Sequence, residues 1–229
     1  GLAQVDLKKL IAYSSVSHMG FVTLGLFVLN QQGIEGAVLQ MVNHGITTGG
    51  LFLCVGIIYE RTHSRLISDN VGLASPMPQY ATLLVIFALS SLGLPGTNSF
   101  VGEFLVLVGT FSWSKIATAV ASLGIILAAT YLLWMVQRVV FGVPVEHHLP
   151  KLKDLNRREF ATLVPLILLI FWIGFYPNPL ISRMHQSVTN TIVSMSREKV
   201  APTAHPSARI TAPLLVEREE PLEIQGGLR

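Results

Sequence analysis

The chain is expected to fold as an all-α, polytopic membrane helix bundle, and three observations lead there. Only 13% of its 229 residues are charged while 51% are hydrophobic, where a soluble domain carries about 25% charged residues. Residues 10–34, 36–59, 70–102, 116–137 and 160–182 contain no Asp, Glu, Lys or Arg, and each stretch exceeds the roughly 20 apolar residues a helix needs to cross a bilayer. The same stretches are apolar nearly all round, whereas helices of a large soluble core keep polar faces at helical spacing. The formal charge of +3 is spread rather than striped. It reads as membrane topology and gives no nucleic-acid footprint.

In chain order, the first passage covers about residues 10–30 and the second about 34–59, with Asn30-Gln31-Gln32-Gly33 as the link. Residues 68–78, carrying Gly72, Pro76 and Pro78, lead to a third segment over 77–114. Roughly 38 residues at 1.5 Å each would make a rod of about 57 Å, nearly twice the hydrocarbon thickness. Gly93-Leu94-Pro95-Gly96-Thr97-Asn98 supplies the interruption, since proline lacks a backbone donor and glycine permits a turn. Two full crossings and one broken crossing both fit that length, and charge separates them. With one broken crossing, Lys8, Lys9, Arg61, Arg65, Arg138, Lys151, Lys153, Arg157 and Arg158 share one face and leave only Lys115 opposite. That bias selects the discontinuous helix and puts the basic face in the cytoplasm.

Passages over 116–141 and 160–176 complete a bundle of about five. Pro177-Asn178-Pro179 then ends the last one, and Leu180, Met184, Val188, Ile192 and Val193 recur at helical spacing among polar residues, as in an interfacial or subunit-docking helix. Prolines and the acidic run Glu217, Glu219, Glu220 and Glu223 mark a flexible tail. The expected organisation is therefore a transmembrane bundle over 1–176, the docking helix over 177–199 and the tail over 200–229. No basic n-region or cleavage site precedes the first passage and the chain opens at Gly1, so it is expected to be part of something longer.

An ionisable group inside a span costs roughly 2.5–3.5 kcal/mol on insertion scales and needs a reason to be there. Glu103, about two turns past the break, is the strongest candidate, because a carboxyl in lipid is a proton site whose occupancy a neighbouring charge can switch. His44, flanked by Asn43, Gly45, Thr47 and Thr48, is the second, since imidazole exchanges protons near neutral pH through both ring nitrogens. His18, beside Ser14, Ser15 and Ser17, is the third and lies nearer the cytoplasmic end. Each has a plainer alternative: a packed or paired carboxyl for Glu103, a helix-to-helix hydrogen bond for the histidines. Lys8, Lys9, Glu60, Arg61, His63 and Arg65 read as topology anchors, with a proton mouth or subunit contact as the functional alternative.

Cys54 is the lone cysteine and lies in an apolar stretch, so neither a disulfide nor a Cys-rich iron–sulfur or zinc site is expected. His147 and His148 beside Glu146 do not have metal-ligand spacing on a helix face, and no metal site is expected. There is no P-loop, no G-x-G-x-x-G and no H-E-x-x-H; Ser112-Trp113-Ser114-Lys115 matches S-x-x-K without the rest of that constellation.

Asp6-Leu7-Lys8-Lys9-Leu10-Ile11-Ala12-Tyr13-Ser14-Ser15-Val16-Ser17-His18-Met19-Gly20 resembles the antiporter-like membrane subunits of NADH-quinone oxidoreductase, respiratory complex I. The resemblance continues through Gln40-Met41-Val42-Asn43-His44-Gly45. Tyr59-Glu60-Arg61-Thr62-His63-Ser64-Arg65 and Gly93-Leu94-Pro95-Gly96-Thr97-Asn98-Ser99-Phe100-Val101-Gly102-Glu103-Phe104 narrow it to the chain M and mitochondrial chain 4 family. It extends over about residues 5–192. The resemblance implies a fourteen-helix subunit of which these would be the last five passages, with the third as the second broken helix. It places His18, His44 and Glu103 on a central hydrophilic axis, Glu103 at the outward exit; the expected route along it is that His44 feeds Glu103. The family's first broken helix, its glutamate–lysine pair and its bridging lysine have no counterpart here, and Lys8 and Lys9 are not those lysines.

Proton translocation coupled to quinone reduction is thus the expected function, with no cofactor in this chain. NADH, FMN, iron–sulfur clusters and quinone are expected in partner subunits. Expected partners are other membrane subunits of complex I and the lipid bilayer. The expected location is a bacterial inner membrane, an organellar energy-transducing membrane ranking second. A monovalent cation/proton antiporter subunit, a membrane-bound hydrogenase subunit and a purely structural scaffold are the alternatives.

Overall fold

The computed structural model describes residues 3–143 and 152–200, with side chains as far as 196. The expected tail over 200–229 and the His147–His148 pair lie outside the described residues. The named elements among the described residues are all helical: α1 (Leu7–Phe27), α2 (Gln31–Thr62), a 3-10 turn (Ile67–Asp69), α3 (Pro78–Ser91), α4 (Asn98–Trp113), α5 (Lys115–Val139), α6 (Arg157–Phe175) and α7 (Asn178–Val200). It divides into two compact units, Gly1–Val193 and Ser194–Arg229. The described part of the second is the last turns of α7, and everything below concerns the first.

Four helices, α1, α2, α5 and α6, are long and apolar enough to cross a membrane. With 14 and 16 residues, α3 and α4 reach about 21 Å and about 24 Å, each short of a hydrocarbon core of about 30 Å. Together they make the expected discontinuous passage. α2 lies at the centre, touching α1, α3, α4 and α6. α5 is peripheral and leaves Ile116, Val120, Leu123 and Ile126 exposed, as a lipid-facing helix does.

Caps explain the helix starts and also tie elements together. Asp6 accepts from Lys9 N at 3.1 Å to open α1, while Leu7 N donates to Arg65 O and Ile67 N to Val5 O, both at 2.9 Å. α3 begins with Pro78, and its first free amides, those of Gln79 and Tyr80, donate to the Asp154 carboxylate at 2.9 and 3.1 Å. A carboxylate from the segment before α6 thus neutralises the positive end of α3.

The expected α1–α2 link needs correction. Gln31, Gln32 and Gly33 already belong to α2; the reversal is made by Leu29 at φ +55° and by Asn30, whose side chain accepts from Gly33 N at 2.8 Å. Gly33 is required by close approach rather than by a turn, because a Cβ there would stand 2.9 Å from Gly25 O. Polar residues that looked like a loop instead cap and open a helix.

Arg61 also departs from its expected role as a surface anchor. Its guanidinium grips Glu159 with two bonds, 3.0 and 2.7 Å, and donates to the carbonyls of Ile57, Lys153 and Asp154. Glu159 completes a capping box with Asn156 at the start of α6, so one partly buried pair locks α2 to α6. Arg61→Ala is expected to cost about 2–3 kcal/mol, seen as a lower thermal midpoint of the detergent-solubilised protein. Arg61→Lys should recover only part, since an ammonium cannot make the forked bond.

Candidate functional site

The break between α3 and α4 is made by local chemistry and held open by side-chain amides. Gly93 and Gly96 take φ +75° and +94°, values that suit glycine alone without strain. α6 presses against the turn, since a Cβ on Gly174 would meet the Gly96 carbonyl. Asn98, fully buried, accepts from Ser90 Oγ at 2.8 Å and Thr47 Oγ1 at 3.2 Å. Its backbone carbonyl accepts from Asn43 Nδ2 at 2.7 Å, and its own Nδ2 donates to Asn43 O at 3.3 Å. The central helix α2 therefore supplies the partners that a severed helix would otherwise lack at membrane depth.

Glu103 is 5% exposed. Helical side chains lean toward the N-terminus, and this one reaches back to the break, where Oε2 would be 2.8 Å from a Cβ on Gly93. Oε1 accepts from Gln40 Nε2 at 3.2 Å and stands 3.0 Å from His18 Nδ1. The other ring nitrogen of His18 is 3.3 Å from Ser91 Oγ, the last residue of α3. One imidazole thus spans the break, touching the carboxyl of one half-helix and the hydroxyl that ends the other. The His44 ring lies beyond, its centroid 6.2 Å from that of His18. His18, Gln40, His44, Thr47, Ser91 and Ser99 all line a narrow polar cleft. His44 Nε2, Gln40 Oε1 and Asn43 Oδ1 are buried there without a protein partner among the described residues; such atoms are costly unless hydrated.

His18 and His44 line this cleft, and Glu103 joins them through its 3.0 Å contact to His18. His18, the twelfth residue of α1, stands about 17 Å along that helix, level with the break. Of the two histidines it is His18 that touches Glu103, with the His44 ring 6.2 Å from that of His18. Sequence reasoning gave Gln40, Asn43, Ser90, Ser91 and Asn98 no role of their own. The signal for part of this set was present: Gln40, Asn43, His44 and Thr47 repeat at i, i+3, i+4 and i+7 along an otherwise apolar helix, which is one polar stripe.

The C-terminal parts of α1 and α4 and the N-terminal part of α2 meet along glycines. A Cβ on Gly25 would be 2.6 Å from Gly33 O, one on Gly36 2.7 Å from Val106 N, and one on Gly109 2.5 Å from Gly33 N. Small residues let membrane helices approach backbone to backbone, and Asn30 Nδ2 closes the seam by donating to Gly109 O at 2.7 Å.

A family model described as NADH:quinone oxidoreductase/Mrp antiporter, transmembrane, matches residues 1–130. NADH-ubiquinone oxidoreductase chain 4 of Marchantia polymorpha is 48% identical over 191 residues, 83% of this chain and 39% of that one. NADH-quinone oxidoreductase subunit M of Rhodobacter capsulatus is 47% identical over 191 residues, 83% of this chain and 37% of the relative. A chain in the structure of respiratory complex I from Thermus thermophilus with bound NADH superposes with a TM-score of 0.78 at 33% identity, over 85% of this chain and 40% of that one. The chain thus spans about two fifths of the length of the relatives it matches.

Proposed function

This chain belongs to the NADH:quinone oxidoreductase/Mrp antiporter transmembrane family, and from that membership we propose that it moves protons across an energy-transducing membrane within NADH-quinone oxidoreductase. The observation that carries the reading is the buried His18–Glu103 pair, joined at 3.0 Å across a broken helix. A proton arriving on His44 passes by way of His18 to Glu103 Oε1. His18 can receive at one ring nitrogen while releasing from the other, and Ser91 on its far side gives the ring a second polar neighbour. Gln40, donating to the same carboxyl oxygen, steadies Glu103 when it is ionised.

Electron transfer belongs, on this reading, to partner subunits that carry NADH, FMN, iron–sulfur clusters and quinone. This chain supplies no redox centre and answers quinone reduction through charge rearrangement along the axis. Moving one charge against 100 mV takes about 2.3 kcal/mol, so access to Glu103 from the two sides must alternate. The bundle is a multi-pass membrane protein, and its basic face supports a cytoplasmic orientation in a bacterial inner membrane. α7 is read as an interfacial helix and a contact for neighbouring membrane subunits.

The family description joins oxidoreductases to Mrp antiporters, which makes a cation/proton antiporter subunit the competing reading. Identity of 48% and 47% to chain 4 and subunit M relatives favours the oxidoreductase. The test uses sealed vesicles holding the assembled complex. NADH-driven quinone reduction should drive proton movement that is independent of sodium; sodium-dependent exchange without quinone reduction would replace the proposal with the antiporter.

A further inference from the structure

A second carboxyl–imidazole pair lies outside the site described above. Glu35, on α2, has a side chain only 8% exposed, and His185 Nδ1 from α7 stands 2.7 Å from its Oε1; the His185 side chain is 60% exposed. Gln31 reaches the same Glu35 oxygen and also donates to His185 O at 3.2 Å. Thr189 donates to Gln31 Oε1 at 3.2 Å. Two elements far apart in sequence therefore surround one buried carboxyl, whose route to water is the His185 ring. That ring borders an open groove with Tyr176, Asn178 and Ser182.

Position gives this pair a meaning. Gln40, the donor to Glu103, follows Glu35 by five residues on α2, a rise of about 7.5 Å, so Glu35 lies outward of Glu103. Beyond Glu103, α4 carries no Asp, Glu or His, nor does α1 beyond His18, nor the outer halves of α5 and α6. The charged groups at that end are Lys115, held over the Phe111 ring, and exposed Arg183 on α7. Glu35 and His185 are thus the proton-binding side chains between Glu103 and the outer surface among the described residues. Gly36, adjacent to Glu35, abuts Val106 and so packs α2 against α4 between the two carboxyls.

We infer that Glu35 and His185 form the outer proton-release pair of this chain, a role that rests on the proton-translocation reading above. The proton leaves the Glu103 carboxyl and, through intervening water, protonates the Glu35 carboxylate. It then passes from Glu35 Oε1 to His185 Nδ1 as the ring's other nitrogen gives its own proton to bulk water. Return of the ring to its first tautomer resets the pair, with no net change in either group.

The test is made in the assembled complex in proteoliposomes, with His185→Ala, Glu35→Gln, Glu35→Asp and Glu103→Gln side by side. His185→Ala should assemble, because Gln31 holds the backbone of residue 185, and coupled proton release should fall about 10²-fold or more. Imidazole added on the outer side should restore it, which loss of a merely structural contact would not allow. Glu35→Gln should be equally slow and unresponsive to imidazole, with Glu35→Asp recovering part of the rate. If His185→Ala pumps at the parental rate, or is slow and not rescued, the release pair is wrong, whether or not Glu35→Gln assembles. If Glu103→Gln also pumps normally, the relay reading falls with it; if only Glu103→Gln stops pumping, the relay stands and this inference alone fails.

Discussion

Glutamine in place of Glu103 is expected to lower proton translocation through this chain by about 10²-fold or more, while leaving the bundle assembled. The amide matches the carboxyl in shape and can still meet Gln40 Nε2 and His18 Nδ1, so the packing around the break survives. What disappears is a group that can carry a proton away from His18. His18 would then keep its contacts but have no base across the break to take its proton, and the relay would end on α1. Aspartate is the informative companion: it retains the acid but is one methylene shorter, so it cannot hold the 3.0 Å contact to His18 and the 3.2 Å contact to Gln40 together. Intermediate pumping is expected for Glu103→Asp. The measurement is vesicle acidification per quinone reduced at equal complex content, and parental coupling in Glu103→Gln would remove Glu103 from the path.

Gly36→Val should have the largest structural effect. The Cβ would meet Val106 N at 2.7 Å and Gly102 O at 3.0 Å, both backbone atoms that no rotamer change can move aside. Overpacking of a well-packed interior costs about 1–3 kcal/mol and occasionally more; here relief requires α2 and α4 to separate. Separation would pull Gln40 from Glu103 and Asn43 from Asn98, adding unsatisfied buried polar groups at about 1–3 kcal/mol each. The expected result is failure to accumulate in assembled complex, measured by native electrophoresis of solubilised membranes. Gly45→Val is the control, since a Cβ at Gly45 meets nothing within 4 Å. Equal accumulation of the two variants would mean that the seam is not what holds α2 to α4.

The discontinuous passage was legible in the sequence because its causes are local: Gly93, Pro95 and Gly96 act through their own backbones. Glu103 was legible through cost, since an acid placed deep in an apolar run needs a reason. His18 as its partner was not, because 85 residues separate them and a short helical pitch cannot show which faces of α1 and α4 meet. The amides Gln40, Asn43 and Asn98 escaped for another reason. They carry no charge, so counting charges passes over them, although buried at membrane depth they hold the break together. Glu35 falls between the charge-free stretches 10–34 and 36–59 and drew no role from the sequence, whereas the fold buries it against His185 of α7. Arg61 was read with its basic neighbours as a surface residue; its forked partner, Glu159, comes from 98 positions away.

Asn43 and Asn98 join the central helix to both sides of the break through primary amides, and amides neither gain nor lose protons across the physiological range. In the proposed relay, acids and imidazoles nearby can therefore change ionisation on every turnover while the frame that spaces them keeps the same bonds. A scaffold built instead from carboxylates or histidines would loosen and tighten with each passing proton, and the distances on which transfer depends would drift with it. Separating titrating from non-titrating polar groups lets this bundle cycle its charge without remaking its shape.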